Sequence, residues 1–219
     1  MVAVHLAAVP VHAQAAAFER MVMRNPTVAA VVERMPALAL PGCYLAAGAL
    51  FQTVWNCLTG RDPEAGIRDY DLDYFDGGDL SWEAEDRVIQ RADALFADLG
   101  ATVEVRNEAR VHLWYEERFG VPCPPYTSTE AAIASFPSTS ACFGIRPSPS
   151  GLEIFAPYGF ADVFSMRTRP NPVLAPRWVY EAKVARWRAE WPELDVLPWP
   201  EVDTIEHEAR EARSRRVDG

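Results

Sequence analysis

Arg68-Asp-Tyr-Asp-Leu-Asp-Tyr-Phe-Asp76 alternates charged residues with aromatic or aliphatic ones. A period of two predicts a β-strand with two unlike faces. Asp69, Asp71 and Asp73 then project to one side, and Tyr70, Leu72 and Tyr74 to the other. Aspartate is a poor strand former, and three carboxylates in a row repel one another unless a cation or a water-filled cleft lies over them. Oxygen-only donors suit a hard divalent ion (magnesium, manganese or calcium) better than zinc. A charged edge strand that simply blocks edge pairing explains any single aspartate. Strict alternation of three, opposite an apolar face, favours the metal site.

Working outward, Gly77-Gly78 ends the strand and Ser81 caps a helix with Glu83 and Glu85 in its first turn. Val88, Ala92, Leu95, Phe96 and Leu99 form the buried stripe of that helix before Gly100 closes it. A second strand follows from Thr102 to Arg106, with Glu104 between Val103 and Val105. Upstream, Asn25-Pro26 starts a helix that ends near Pro36. From Tyr44 to Leu58, the residues Tyr44, Ala47, Gly48, Phe51, Val54, Trp55 and Leu58 trace a second, buried helix ending at Gly60. Downstream, helices are predicted over 109–119, 128–136 and 175–190. A hairpin pairs 141–146 with 152–156, and an irregular segment follows Pro192.

The chain has 219 residues, 49% apolar, enough for one globular core. Its net charge of −10 disfavours long nucleic acid and anionic membranes as partners, and no apolar run reaches membrane-spanning length. Arg61 to Asp86 carries ten acidic and two basic residues, so most of the excess is local. Arg167 to Arg188 holds Arg167, Arg169, Arg177, Lys183, Arg186 and Arg188 against Glu181, a patch suited either to a triphosphate or to a solvated helix face. Cys43, Cys57, Cys123 and Cys142 are widely spaced, which argues against a zinc module and for reduced thiols in a cytoplasmic protein. Met1 to Ala17 lacks a leading Lys or Arg and is interrupted by Pro10, so residues 1–17 are expected to be an N-terminal extension rather than a secretion signal. Residues 18–200 are expected to form the domain and 201–219 a charged, flexible tail.

Several chemistries fall away. An EF-hand loop aligned on Asp69 would have Tyr74 at its glycine and Leu80 at its closing glutamate. An Asp-x-Asp phosphohydrolase needs a buried apolar strand before its aspartates, and Ala65-Gly-Ile-Arg68 is too polar and short, which leaves that activity as a weak alternative. There is no Gly-x-Ser-x-Gly elbow and no glycine loop ending in Lys-Ser or Lys-Thr.

Three stretches remain: Ala47-Gly48-Ala49, Asp69-Tyr70-Asp71 (or Asp71-Leu72-Asp73), and Val103-Glu104-Val105. In these the sequence resembles the DNA polymerase beta-like nucleotidyltransferase superfamily, with its hydrophobic-Gly-Gly/Ser helix, Asp-hydrophobic-Asp strand and later strand carboxylate. It is further similar to an uncharacterised bacterial nucleotidyltransferase-like family, through Val54-Trp-Asn56, 69–76, Val103 to Tyr115 and Arg169-Pro-Asn171, over about Phe18 to Trp199. The resemblance implies an α+β fold with a mixed, partly antiparallel central sheet and helices packed on it. It implies transfer of NMP from an NTP to a small-molecule or protein acceptor by a two-metal mechanism, with two Mg²⁺ ions and Mn²⁺ as a substitute. By the same resemblance Asp69, Asp71 and Glu104 are catalytic, and Asp69, Asp71, Asp73 and Glu104 are the metal ligands, with Asp69/Asp71 and Asp71/Asp73 as competing pairs. Gly48, Ala49, Arg106 and Arg169 would bind substrate. Ala49 stands where the superfamily has glycine or a small polar residue, and the interval from Gly48 to Asp69 requires the helix to run several turns past the glycine. A non-catalytic nucleotide- or partner-binding module on the same fold is the alternative.

Overall fold

The computed structural model describes residues 6–149 and 151–201. The expected tail therefore lies almost wholly outside the described residues. Helix α1 (Val11–Val22) starts inside the stretch expected to be an extension, and it buries Gln14, Ala17, Phe18 and Val22. Phe18 stacks on Phe143 with ring centroids 4.7 Å apart, which ties the helix to the sheet. Helix α2 (Pro26–Arg34) has the expected cap, Asn25 Oδ1 accepting from the Val28 amide at 2.9 Å. A 3₁₀ turn, Met35–Leu38, follows.

The predicted helix over Tyr44 to Leu58 divides. Tyr44–Ala46 is strand β1, and helix α3 runs Gly48–Thr59. The break is at Ala47, whose φ of 49° is left-handed and incompatible with either element. Its amide donates to Phe143 O at 3.0 Å, prolonging the strand ladder for one residue before the chain turns. The apolar spacing of Tyr44 fits a helix, but pairing on both edges of a buried three-residue strand overrides it. Beyond Gly48 the helix continues for three turns to Gly60, as the long interval to Asp69 requires.

Strand β2 is Tyr70–Tyr74, helix α4 Trp82–Phe96 and strand β3 Val103–Asn107, so β2 and β3 are parallel with a helical crossover. The predicted helix over 109–119 is a 3₁₀ segment, Glu108–Leu113, and then helix α5, Tyr115–Phe119. Arg110, drawn to the Leu80 carbonyl and to Glu85, holds the first part in the tighter winding. Helix α6 (Thr129–Ile133) leads to the hairpin β4 (Gly144–Ser148) and β5 (Gly151–Phe155). Helix α7 (Ala161–Phe164), strand β6 (Arg167–Thr168), helix α8 (Arg177–Glu190) and strand β7 (Asp195–Val196) complete the described chain. The segment after Pro192, expected to be irregular, pairs with β6 through β7.

The main sheet has the order β3-β2-β1-β4-β5, antiparallel except for β2/β3. Its register sorts the residues into rows. Val105, Leu72, Leu45 and Ile145 are cross-strand neighbours on the face that joins the main core. On the opposite face Glu104, Asp71, Ala46 and Gly144 form one row, and Arg106, Asp73 and Tyr44 the next. Ala46 and Gly144 have little or no side chain, so the floor beside Asp71 is open. A Cβ on Gly144 would lie 2.8 Å from Ile133 Cδ1 and 3.0 Å from the Tyr44 ring, so glycine is required there.

Candidate active site

The polar face of the sheet carries the carboxylates that the alternation predicted. Asp71 and Glu104 are direct neighbours in the parallel register, and Asp69 precedes them at the entry to β2. Gly48, at the N-terminus of α3, lies so close that a Cβ there would be 3.9 Å from Asp69 Oδ1. This twelve-residue helix starts without a side-chain cap. Its first amides and its dipole favour an anion at that point.

Two cavities open on this face and meet at Ala47, Asp71 and Lys183. The larger, about 480 Å³, is polar and is lined by Gly48, Arg68, Asp69, Asp71, Glu104, Arg118, Lys183 and Arg186 among others. The smaller, about 210 Å³, is lined by Asp71, Asp73, Arg106, Glu108, Ser135 and Lys183 and otherwise by aromatic and aliphatic side chains. The carboxylates are therefore divided, with Asp69 and Glu104 on the polar side, Asp73 and Glu108 on the apolar side, and Asp71 on the boundary.

Electrostatic stress is concentrated here. Burial, then the charges of Asp73, Asp69 and Glu104, push the Asp71 carboxyl up to about 8, against a smaller opposing pull from Lys183. Burial also raises Asp73 well above the carboxylate range, helped by Glu108. Glu108 is raised by its own burial to about 7, while a hydrogen bond with Asp73 and the charge of Arg106 hold it down. Asp73 Oδ2 is buried without a hydrogen-bond partner. Lys183 reaches water in the cleft, yet the surrounding protein desolvates it enough to lower its pKa, against the pull of Asp71 and Asp69.

Asp69, Asp71 and Glu104 form an oxygen-only donor set, which is chemically matched to a hard divalent cation. Among the described residues, no group of three Asp, Glu, His or Cys side chains is gathered closely enough to enclose a metal ion. A cation here would need further oxygens from a bound substrate, as magnesium bound with phosphates commonly has.

The surroundings explain how these groups are held. Trp187 packs edge-on against Phe51 (5.0 Å) and Trp55 (5.9 Å), and Trp191 Nε1 donates to Asn56 Oδ1 at 2.9 Å. These contacts clamp α8 to α3 and bring Lys183 and Arg186 over the aspartates. At the end of β3, Glu85 accepts from the Asn107 amide at 2.8 Å and forms a buried ion pair with Arg110. Asn107 in turn caps the 3₁₀ segment, its Oδ1 accepting from the Ala109 amide at 3.2 Å. This network fixes Glu108.

Other residues proposed from sequence are placed differently. Ala49 is fully buried in the core and lines neither cavity. Arg169 lines neither cavity and pairs with Asp162 at 3.1 Å. Arg106 reaches the site, but its Nη2 is 3.1 Å from Glu104 Oε2. Within the basic stretch Arg167 pairs with Asp195 and Arg177 with Glu181, while Lys183 and Arg186 face the carboxylates. Glu108, Arg68 and Arg118 were not singled out by sequence. Arg68 adjoins the aspartates, whereas the only signal for Glu108 was a carboxylate directly after the second strand.

A family model described as Nucleotidyltransferase matches residues 33–196. The chain belongs to this nucleotidyltransferase family. The matched span includes α3 with Gly48, the aspartate strand, Glu104 and helix α8. A solved structure described as "The NMR structure of the protein reveals a CCA-adding enzyme head domain" has the same fold, with a TM-score of 0.68 and 21% identity. That likeness covers 83% of this chain and 95% of the other. No curated protein matches the chain. Membership makes the chain a nucleotidyltransferase, with the mixed α+β sheet expected from its sequence. Among the described residues no helix is long and apolar enough to cross a membrane.

Proposed function

We propose that this protein transfers NMP from an NTP to an acceptor hydroxyl, with Mg²⁺ (or Mn²⁺) held by Asp69, Asp71 and Glu104 together with the substrate's phosphates. The observation that carries this reading is the lateral pairing of Asp71 with Glu104, two residues along the chain from Asp69, which itself lies beside Gly48, at the edge of a cavity lined by Arg68, Arg118, Lys183 and Arg186. When bound, the divalent ions supply Lewis-acid polarisation of the phosphates and lower the pKa of a coordinated hydroxyl. Lys183 and Arg186 bind the β- and γ-phosphates, Arg68 and Arg118 line the same cleft, and Gly48 lets them approach the α3 N-terminus. Asp73, on the far side of Asp71, belongs to the pair with Glu108, which favours Asp69/Asp71 over Asp71/Asp73 as the ligand pair. Cytoplasmic placement is part of the proposal, supported by four free cysteines.

The test is incubation with Mg²⁺ and each labelled NTP, scoring pyrophosphate release against a panel of acceptors. An Asp69→Ala/Asp71→Ala double variant is expected to lose at least about a hundredfold, the scale of removing an electrostatic anchor. Equal rates in the two proteins would overturn the proposal. The buried Ala49 gives phosphate no side-chain donor, which favours a second reading, a module that binds NTP without turnover. Metal-dependent NTP binding in calorimetry with no pyrophosphate from any acceptor is the outcome that selects it.

A further inference from the structure

We infer that the smaller, apolar cavity is the acceptor pocket, and that the acceptor is a neutral hydroxyl compound built on a compact aromatic or aliphatic ring. This rests on the triphosphate reading above. Displacement at phosphorus sets the attacking and leaving oxygens roughly in line on opposite sides of the transferred group. With the β- and γ-phosphates over Gly48, Lys183 and Arg186, and the α-phosphate at Asp71, the leaving pyrophosphate lies in the polar cavity. The attacking hydroxyl must therefore come from the other side of Asp71, and that is where the apolar cavity lies. Its oxygen bonds to the α-phosphorus as the α–β bridging P–O bond breaks. That electron pair leaves with pyrophosphate, and the hydroxyl proton passes to solvent.

The walls define the class of compound. Trp114, Tyr115, Phe119, Tyr126, Phe136 and Leu174 surround the cavity, and the half-exposed Trp178, 5.9 Å from Phe119, extends the aromatic surface outward. Such surfaces take planar or aliphatic rings through stacking and desolvation. The volume is about 210 Å³. A cavity of about 150 Å³ accepts benzene, so one ring with a hydroxyl-bearing substituent fits. Asp73 and Glu108 line this cavity, and of its two cations Arg106 is paired to Glu104 while Lys183 also faces Asp71 and the polar cavity, so neither is free for an anionic ring compound.

The experiment measures two affinities on the same preparations. Benzyl alcohol and benzoate are titrated by saturation-transfer NMR, and a non-hydrolysable NTP analogue with Mg²⁺ by calorimetry. Wild type is expected to bind benzyl alcohol saturably and benzoate at least about tenfold more weakly, a difference of about 1.4 kcal/mol. Leu174→Trp fills the cavity and is expected to weaken benzyl alcohol about tenfold while leaving the analogue within about twofold. Phe119→Ala, which removes a wall instead of adding bulk, is the second variant, with circular dichroism melts verifying that both fold. Absence of saturable benzyl alcohol binding, or equal binding of benzoate, overturns the inference. So does a loss of analogue affinity in Leu174→Trp, which would put the nucleoside in this cavity. A wild type that binds benzyl alcohol but no Mg²⁺-NTP analogue overturns the triphosphate reading and the acceptor role together, so the two failures are distinguishable.

Discussion

Replacing Asp71 by asparagine should stabilise the metal-free protein at alkaline pH. The Asp71 carboxyl titrates near 8 in the folded chain, against an ordinary value of 3.8, because it is buried among Asp73, Asp69 and Glu104. Between those two values the folded state holds a proton that the unfolded state has lost, so this group's contribution to stability falls as pH rises across the window. Each unit of difference corresponds to about 1.4 kcal/mol, which puts a ceiling of about 6 kcal/mol on the effect. Water in the cleft and small movements of the neighbouring carboxylates screen much of that, leaving about 2 kcal/mol between pH 5 and pH 8. Asparagine has the same shape and no charge to desolvate. With EDTA present, the urea midpoint of the wild type should fall by about 1 M over that range, at a slope of about 2 kcal/mol per molar urea. Asp71→Asn should fall less, since Asp73 and Glu108 still contribute, and should be the more stable protein at pH 8. Adding Mg²⁺ at pH 8 should raise the wild-type midpoint and leave Asp71→Asn nearly unchanged. Parallel pH slopes, or a variant less stable than wild type at pH 8, would refute the reasoning.

Gly48→Ala should melt within a few degrees of wild type, because the new Cβ meets the flexible end of Gln52 at 3.0 Å and alanine favours a helix. Its affinity for an NTP analogue with Mg²⁺ should fall about tenfold in calorimetry, since the Cβ occupies the approach to the helix N-terminus. Lys183→Ala and Arg186→Ala should each weaken that affinity about three- to tenfold and flatten its salt dependence, while Arg169→Ala, paired with Asp162 outside both cavities, should leave it unchanged. Arg110→Met strands the buried Glu85 charge and should cost about 3–5 kcal/mol in urea unfolding, whereas the double change Glu85→Leu/Arg110→Met should recover part of that loss.

How far the sequence could be read depended on whether a feature was local. The aspartate strand and the caps of Asn25 and Ser81 follow from short-range rules and form where they are expected. The hairpin forms as well, with its first strand starting at Gly144 because Thr139–Ala141 is a 3₁₀ turn, and with both strands running into the Pro-Ser-Pro-Ser-Gly turn. Tyr44–Ala46 failed because its conformation is dictated by two partner strands, one of them a hundred residues away. Nothing within the segment distinguishes a buried strand from the first turn of a buried helix. The site divides in the same way. Asp71 facing Glu104 follows from two alternations and one register, whereas Glu108 enters the site only because Asn107, Glu85 and Arg110 turn the chain after β3. The substrate role expected of Arg169 rests on its place in the basic stretch and in the Arg169-Pro-Asn171 match, and its partner Asp162 sits on a short helix that neither reveals.

The charge balance acquires meaning only when it is divided by position. A net charge of −10 argues against a grip on polyanions, yet the carboxylates at the site adjoin Lys183 and Arg186, held there by the packing of Trp187 and Trp191 on α3. Those cations do not neutralise Asp71, whose carboxyl is still driven to about 8. A triphosphate arriving without a counter-ion would meet basic groups on one wall and repelling carboxylates on the other. Arriving with a divalent ion, it brings positive charge to the place where the protein has too little and negative charge to the place where Lys183 and Arg186 are waiting. If the proposed function holds, the surplus of acid at the cleft would make nucleotide and metal binding cooperative, at a cost to the stability of the empty protein.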